Sequence, residues 1–317
     1  MSASTAIAQP VFLVGAERSG TTLLRLMLDH HPRIALLFES DFLVTGLSED
    51  GADPEAARYR DWLRHDRAFQ HSGFTIDERL DFRALVNDFL RQKRTRDGKE
   101  LVGATVHHRF CELWRIWPNA RYVYLLRDGR DVSTSVMRMG WAGNVYVAAD
   151  HWLAAERQRD QALAHVDPGR WLEVRYEDLI LDTRAQLERI CAFLRVDYSD
   201  QMLDYMHRST YQAPDPSLCY QWKTGVQPRD LQLLEERLGE RLRERGYALS
   251  GHPPIAVRAL RRRWLRLHSR IGAYRFRVRR FGVLLALQET LSRRLGLEKL
   301  RLKVQAEMNH ITNLHMK

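Results

Sequence analysis

The sequence predicts an α/β fold: a P-loop-type parallel sheet flanked by helices, with a basic helical C-terminal extension. Three observations carry this expectation. Short, continuously apolar runs alternate with segments of helical periodicity, the pattern of parallel strands covered on both faces. The first run leads into Gly15-Ala16-Glu17-Arg18-Ser19-Gly20, whose glycines have the spacing of a nucleotide phosphate loop. The basic charge is concentrated at one end. Residues 253–317 hold 16 Lys and Arg against three Glu, whereas the rest of the chain holds 34 basic against 37 acidic residues.

In chain order, residues 11–15 (VFLVG) read as a buried strand. Residues 21–31 (TTLLRLMLDHH) read as a helix with Leu23, Leu24, Met27 and Leu28 on one face, ended by His31-Pro32. Residues 34–38 (IALLF) form the second strand, 101–105 a weaker third, 121–126 (RYVYLL) a strong fourth and 171–175 (WLEVR) a fifth. A helix begins at about Asp131, and linking helices are expected over 82–91, 145–165, 183–194 and 228–245. Gly246-Tyr247 closes the last of these. Ser250-Gly251-His252-Pro253-Pro254 marks a boundary, dividing the chain into an α/β domain, 1–252, and an extension, 253–317.

In the extension, Leu260, Trp264, Leu267, Ile271, Tyr274, Val278, Phe281 and Leu285 recur at intervals of four and three, an apolar seam on a helix. Its flanks are almost wholly Arg. Three uses stay open: packing on the protein's own core or on a neighbouring helix within 284–302, contact with an anionic membrane surface through residues 258–303, or an acidic partner.

The chain has 317 residues, 44% hydrophobic and 28% charged, ordinary for a soluble globular protein with an ample core. Cys111, Cys191 and Cys219 are scattered, which excludes a disulfide framework and fits a reducing compartment. Residues 1–16 lack a basic stretch followed by an apolar run, so neither a signal peptide nor a membrane span is expected. These features predict a cytoplasmic protein, with peripheral membrane contact open through the extension. Since the basic excess belongs to the extension, the main domain is not expected to bind nucleic acid.

In an open parallel sheet, ligands bind beyond the carboxyl ends of the strands. Four clusters fall there: the glycine loop, Glu39, Arg127 and Tyr176. The loop offers backbone N–H groups and a helix N-terminus to an anion, with the Thr21 and Thr22 hydroxyls beside them. A triphosphate loop would carry Lys-Ser or Lys-Thr where this chain has Thr21-Thr22. Arg127 stands at the fourth strand's end, and Ser135 follows eight residues later in the next helix, which suggests a second anion site. Taken alone, Arg127, Asp128, Arg130 and Asp131 would read as a surface ion-pair network. Two phosphate-type sites on neighbouring strand ends suit a nucleotide charged at both the 5′ and 3′ ends of one ribose.

Together, RSGTTLL, LLRDGRDVSTS, RYEDL and QWKTG resemble the sulfotransferases that use 3′-phosphoadenosine 5′-phosphosulfate (PAPS), over about residues 11–250. The resemblance is closest to the branch containing tyrosylprotein sulfotransferases and many bacterial enzymes. That branch also has an MLDxHP run, here Met27-Leu28-Asp29-His30-His31-Pro32. The resemblance implies that Arg18, Ser19, Gly20, Thr21 and Thr22 bind the 5′-phosphosulfate, Arg127 and Ser135 the 3′-phosphate, and that Tyr176 lies near the adenine. Trp222 and Lys223 would cover the cofactor from the other side. Arg18 would stabilise the departing phosphate oxygen, and Glu39 would be the general base, with Asp41 its nearest competitor.

Related sequences often carry Lys-Thr-Pro before the third helix; here Ala104 takes the lysine's place, so either His107 or His108 supplies the missing donor at the substrate, or the leaving group is stabilised with less help. By chain order, one helix over 53–70 and another over 82–91 would wall the acceptor site together with these histidines. No His/Asp/Glu cluster has ligand spacing, so no metal is implied.

The expected function is sulfuryl transfer from PAPS to an acceptor hydroxyl of unspecified class: carbohydrate, glycolipid, peptide tyrosine or small molecule. One alternative is a P-loop nucleotide kinase or NTPase, which needs a magnesium-binding aspartate, and Asp128 is its only candidate. The other is a non-catalytic, membrane-associated scaffold.

Overall fold

The computed structural model describes residues 7–48 and 50–297, together with residues 300, 303, 304, 307, 308 and 311. Residues 1–6, on which the leader expectation partly rests, lie outside the described residues, as do 298, 299, 301 and 302 of the extension. The chain divides into two compact units, residues 1–132 with 151–225 and residues 133–150 with 226–317. The division falls inside two helices named below.

The first unit is built on an all-parallel sheet. Its strands are β1 (Val11–Val14), β2 (Ile34–Glu39), β3 (Leu101–Val106), β4 (Arg121–Leu126) and β5 (Trp171–Arg175), in the order β2-β3-β1-β4-β5. The glycine loop therefore leaves the central strand, with the ends of β3 and β4 on either side. This is the topological switch point of an open sheet, where ligands bind.

Alternation along the strands sends residues to two covered faces. Val11, Leu13, Ile34, Leu36, Val123, Leu125 and Val174 join a core with α1 (Thr21–His30) and the later helices of the unit. Phe12 and Tyr122 face the other way, where the Phe12 ring lies 5.2 Å from Trp117 and Tyr122 stacks on Trp171 at 5.4 Å. Burial on both sides explains why these strands read as unbroken apolar runs.

The MLDHHP run is a structural joint. Asp29 accepts the Leu36 N–H (2.7 Å) and pairs with Lys93 (3.1 Å), while the His31 ring bonds the Asp197 carbonyl (2.8 Å). It fixes the turn from α1 into β2.

Two sequence boundaries need correction. The 53–70 segment is not one helix but α2 (Ala56–His65) and α3 (Arg67–Ser72), because Asp66 leaves the helical conformation and caps α3 through the Phe69 N–H (2.8 Å). The helix expected over 82–91 is α4 (Phe82–Asp97), which runs to a left-handed Gly98. Its apolar periodicity ends early, but buried Lys93 bridges Asp29 and Asp97 and keeps the last turn folded.

Beyond α4 come the short α5 (Leu113–Ile116), then α6 (Gly129–Arg138) and α7 (Val145–Leu163), the two helices that the unit division crosses. After β5 follow α8 (Tyr176–Leu181), α9 (Thr183–Leu194), α10 (Tyr205–Arg208) and α11 (Trp222–Gly225).

In the second unit, α12 (Pro228–Glu244) buries Leu231, Leu234, Leu238 and Leu242 along one stripe. Next come α13 (Ala259–Phe281) and α14 (Val283–Arg294). The continuous seam expected through Leu285 is interrupted, since Gly282 takes φ +84° and restarts the helix. The seam also divides in two: Leu260, Trp264, Leu267 and Ile271 are exposed, whereas Tyr274, Val278 and Phe281 are half-buried and Leu285 is buried. Leu265 and Ser269 are the buried residues of α13. Gly272 lies so close to Gly143 that a Cβ on it would stand 2.8 Å from the Gly143 Cα, and Gly143 N–H donates to the Ser269 hydroxyl (2.9 Å). Small residues permit this close backbone approach, which leaves Leu260, Trp264, Leu267 and Ile271 on the outward side of the helix. Among the described residues, no helix is long and apolar enough to cross a membrane.

Candidate active site

The loop from Gly15 to Gly20 is shaped by its own backbone. Arg18 and Gly20 both take left-handed conformations, φ 69° and 93°, and the Ser19 N–H closes a turn on the Ala16 carbonyl (3.2 Å). Gly20 precedes α1, whose first N–H groups have no intrahelical acceptors. Ser19 is 1% exposed, yet among the described residues its hydroxyl has no hydrogen-bond partner. A buried polar atom left unpaired costs about 1–3 kcal/mol unless something else supplies the partner. An anion held in the loop would be that partner.

His107, from the end of β3, braces the loop. One ring nitrogen lies 2.9 Å from the Gly15 carbonyl oxygen and the other 3.3 Å from the Thr21 hydroxyl, and the ring is buried. Tyr176 closes the other side: a Cβ on Gly20 would stand 2.5 Å from its ring. Gly20→Ala therefore meets a clash and a left-handed strain together. We expect a fall in melting temperature and loss of nucleotide binding, measured by thermal denaturation and calorimetry.

Arg127 is brought to the same place. Its guanidinium donates to the Arg18 carbonyl (3.3 Å) and the Leu218 carbonyl (2.7 Å), and lies 4.2 Å from the centre of the Tyr176 ring. Its Nε is buried without a hydrogen bond to any of the described residues. Arg127, the Arg18 loop and Tyr176 thus form one cluster. Thr22 is half-buried in the first turn of α1, and the Arg18 side chain is exposed. Ser135 lies further along α6, within the second unit, and is half-buried.

The remaining charges after β4 are not a surface network. Asp128 and Arg130 are 0% and 1% exposed and form a 2.7 Å ion pair. The Arg130 guanidinium lies 3.6 Å from the centre of the Trp222 ring, and the indole N–H donates to Asp128 (2.9 Å). Asp131 accepts the Trp222 backbone N–H (2.8 Å), and Glu177 accepts that of Asp128 (3.0 Å). Trp222 is thereby pinned at its edge and on a face. Lys223 remains exposed, its ammonium 4.7 Å from the Tyr220 ring. Both carboxylate oxygens of Asp128 are engaged, so the magnesium ligand that a kinase would need is committed to protein.

At the end of β2, Glu39 is exposed. Asp41 instead accepts the backbone N–H groups of His107 (2.8 Å) and His108 (3.0 Å) and pairs with the His108 ring at 2.7 Å. Burial works to raise the Asp41 carboxyl, but the hydrogen bonds and charge of His108 outweigh it and hold it below the usual range. The Asp41 hydrogen bond chiefly raises His108 to about 9. Glu17 stands 3.7 Å from His108 and 3.5 Å from His151. Burial pushes Glu17 upward, and the hydrogen bond to His151 and the neighbouring histidine charges overcome it, leaving it lowered.

Sequence patterning did not single out Glu17 or His151, and it offered Arg130 only a place in a surface network, because each acquires its meaning from a partner distant in the chain or from burial. His108 should titrate near pH 9. Its folded pKa lies above the unfolded value, so its contribution to stability is full below about pH 6.5 and is lost as pH rises through about 9. His108→Gln should flatten that part of the stability profile, read by urea unfolding at several pH values.

A parallel sheet with a buried, anion-ready loop at its switch point and a clasping arginine defines a phosphate-loop α/β protein. The sequence matches the Sulfotransferase family over residues 10–200, and the chain belongs to that family. It is a PAPS-dependent sulfotransferase, an enzyme that moves a sulfuryl group to an acceptor. It is 26% identical over 272 residues to protein-tyrosine sulfotransferase A of Caenorhabditis elegans, covering 77% of this chain and 68% of that protein. It is 28% identical over 206 residues to protein-tyrosine sulfotransferase 2 of Gallus gallus, covering 62% of this chain and 53% of that one. Among solved structures, the sulfotransferase domain from the curacin biosynthetic pathway shares the fold, with a TM-score of 0.53 and 21% identity, over 77% of this chain and all of that one.

Proposed function

We propose that the acceptor is a hydroxyl compound and that the residues gathered around β1 and β4 divide the work as follows. Arg18, Ser19, Gly20, Thr21 and Thr22 hold the 5′-phosphosulfate of PAPS. Arg127 holds the 3′-phosphate with Ser135, whose part rests on the sequence resemblance. Tyr176 lies beside the adenine, with Trp222 and Lys223 closing over the nucleotide. The observation that carries this reading is the buried Ser19 hydroxyl, without a hydrogen-bond partner among the described residues, inside a loop clasped by Arg127.

In the reaction, the acceptor oxygen forms a bond to sulfur as the bond from sulfur to the 5′-phosphate oxygen breaks. The acceptor proton passes to Glu39, and the electron pair stays on the phosphate, giving adenosine 3′,5′-bisphosphate. Glu39 suits the base's role because it is exposed at a strand end, while Asp41 is taken up by the histidine pair. Arg18 stabilises the charge on the leaving oxygen.

His108 supplies the cation that Ala104 leaves missing, being charged at neutral pH; His107 is committed to the loop. No metal enters this scheme. The relatives' names make a tyrosine hydroxyl of a polypeptide the first acceptor to test. The three cysteines are free thiols, which supports a cytoplasmic location, while the bacterial-type assignment rests on the sequence resemblance alone.

The test is binding of adenosine 3′,5′-bisphosphate by calorimetry, followed by product detection with PAPS and tyrosine peptides, sugars, glycolipids and phenols. Arg127→Ala should weaken bisphosphate binding by about tenfold or more, the value of one charge-assisted contact, and reduce turnover less. Unchanged affinity in that variant would remove the second anion site from the scheme.

A further inference from the structure

We infer that α13 is a docking element for an anionic lipid surface. At about 100° per residue, Leu260, Trp264, Leu267 and Ile271 fall within an arc of about 60°. They are 80%, 58%, 56% and 50% exposed. They are not the helix's packing face, which is the side carrying Leu265 and Ser269. Arg263 and Arg270 follow the ridge on one side, and Arg275 and Arg279 on the other; all four are exposed. Past the break at Gly282, α14 repeats the pattern, with Leu284, Leu287, Leu291 and Leu295 exposed and Leu285, Ala286 and Glu289 buried.

Charge complementarity selects the occupant. Residues 258–297 contain twelve arginines and one carboxylate, Glu289. That carboxylate is buried and paired with Arg277 (2.8 Å), so the outward surface is cationic around an apolar ridge. A ridge of Trp, Leu and Ile at the depth of acyl chains, with guanidinium groups at the level of phosphates, is the arrangement of an interfacial helix. A second copy of this chain would bring arginines against arginines. Nucleic acid would use the arginines and leave the ridge in water.

The full-length protein is to be floated with phosphatidylcholine vesicles, with and without phosphatidylglycerol. Binding should be about tenfold or more stronger to the anionic vesicles and should weaken at high salt. Leu267→Glu/Ile271→Glu should abolish it, and Arg263→Glu/Arg270→Glu should reduce it about tenfold or more. Both variants replace exposed residues, and far-ultraviolet circular dichroism with bisphosphate binding checks that each is folded. A folded Leu267→Glu/Ile271→Glu variant that still floats overturns the inference. So does wild-type protein that ignores anionic vesicles. Two further results also count against it: a wild-type dimer that the ridge variant makes monomeric in sedimentation, or RNA binding unaffected by that variant without vesicle binding. Bisphosphate binding by non-floating protein would leave the sulfotransferase scheme standing.

Discussion

Arg18→Ala is expected to lower kcat/KM for sulfuryl transfer by about two orders of magnitude, corresponding to about 3 kcal/mol of lost transition-state stabilisation. The substitution is informative because of the backbone. Arg18 occupies a left-handed conformation at φ 69°, and alanine carries much the same steric penalty there as arginine. Its carbonyl still accepts from Arg127. The loop should therefore keep its shape while the guanidinium is removed. The fall should appear mainly in kcat, with affinity for adenosine 3′,5′-bisphosphate reduced far less. Steady-state kinetics and calorimetry on the same preparations separate the two. An equal loss in both would make Arg18 a ground-state binder only.

Arg130→Ala should cost about 3–5 kcal/mol of folding stability, because it strands the fully buried Asp128 carboxylate. The loss extends to the Trp222 ring, which the guanidinium covers, so the segment of α11 should loosen as well. Urea unfolding measures the first effect, and protease sensitivity around residue 222 the second. Arg130→Met combined with Asp128→Asn should recover much of the stability. The amide removes the unpaired charge and can still accept from the Trp222 indole. If the single and double variants are equally unstable, the cation–ring contact outweighs the ion pair.

The sheet was legible because each strand is short, continuously apolar and buried on both faces; residues 121–126 and 171–175 match β4 and β5 at both ends. Where helices end was less legible. The polar last turns of α4 depend on Lys93 reaching Asp29, a contact across 64 residues. In the site, the glycine loop and Arg127 announced themselves by local pattern. The Asp128–Arg130 pair did not, since a sequence does not reveal whether four alternating charges lie on a surface or under a tryptophan. The seam of α13 shows the converse. Periodicity identified which residues share a stripe, but over the first half of the helix the side that packs was chosen by Ser269 and Gly272, whose small size carries no apolar signal.

The position of His107 has a consequence for how the enzyme meets its donor. One imidazole spans the two ends of the loop, from the Gly15 carbonyl to the Thr21 hydroxyl. The loop proposed to hold the anion is thus braced by contacts that need no nucleotide, and much of the entropy of arranging its amides is lost already on folding. Affinity gained this way comes from a preformed mould, so donor capture should be quick and nearly free of loop rearrangement.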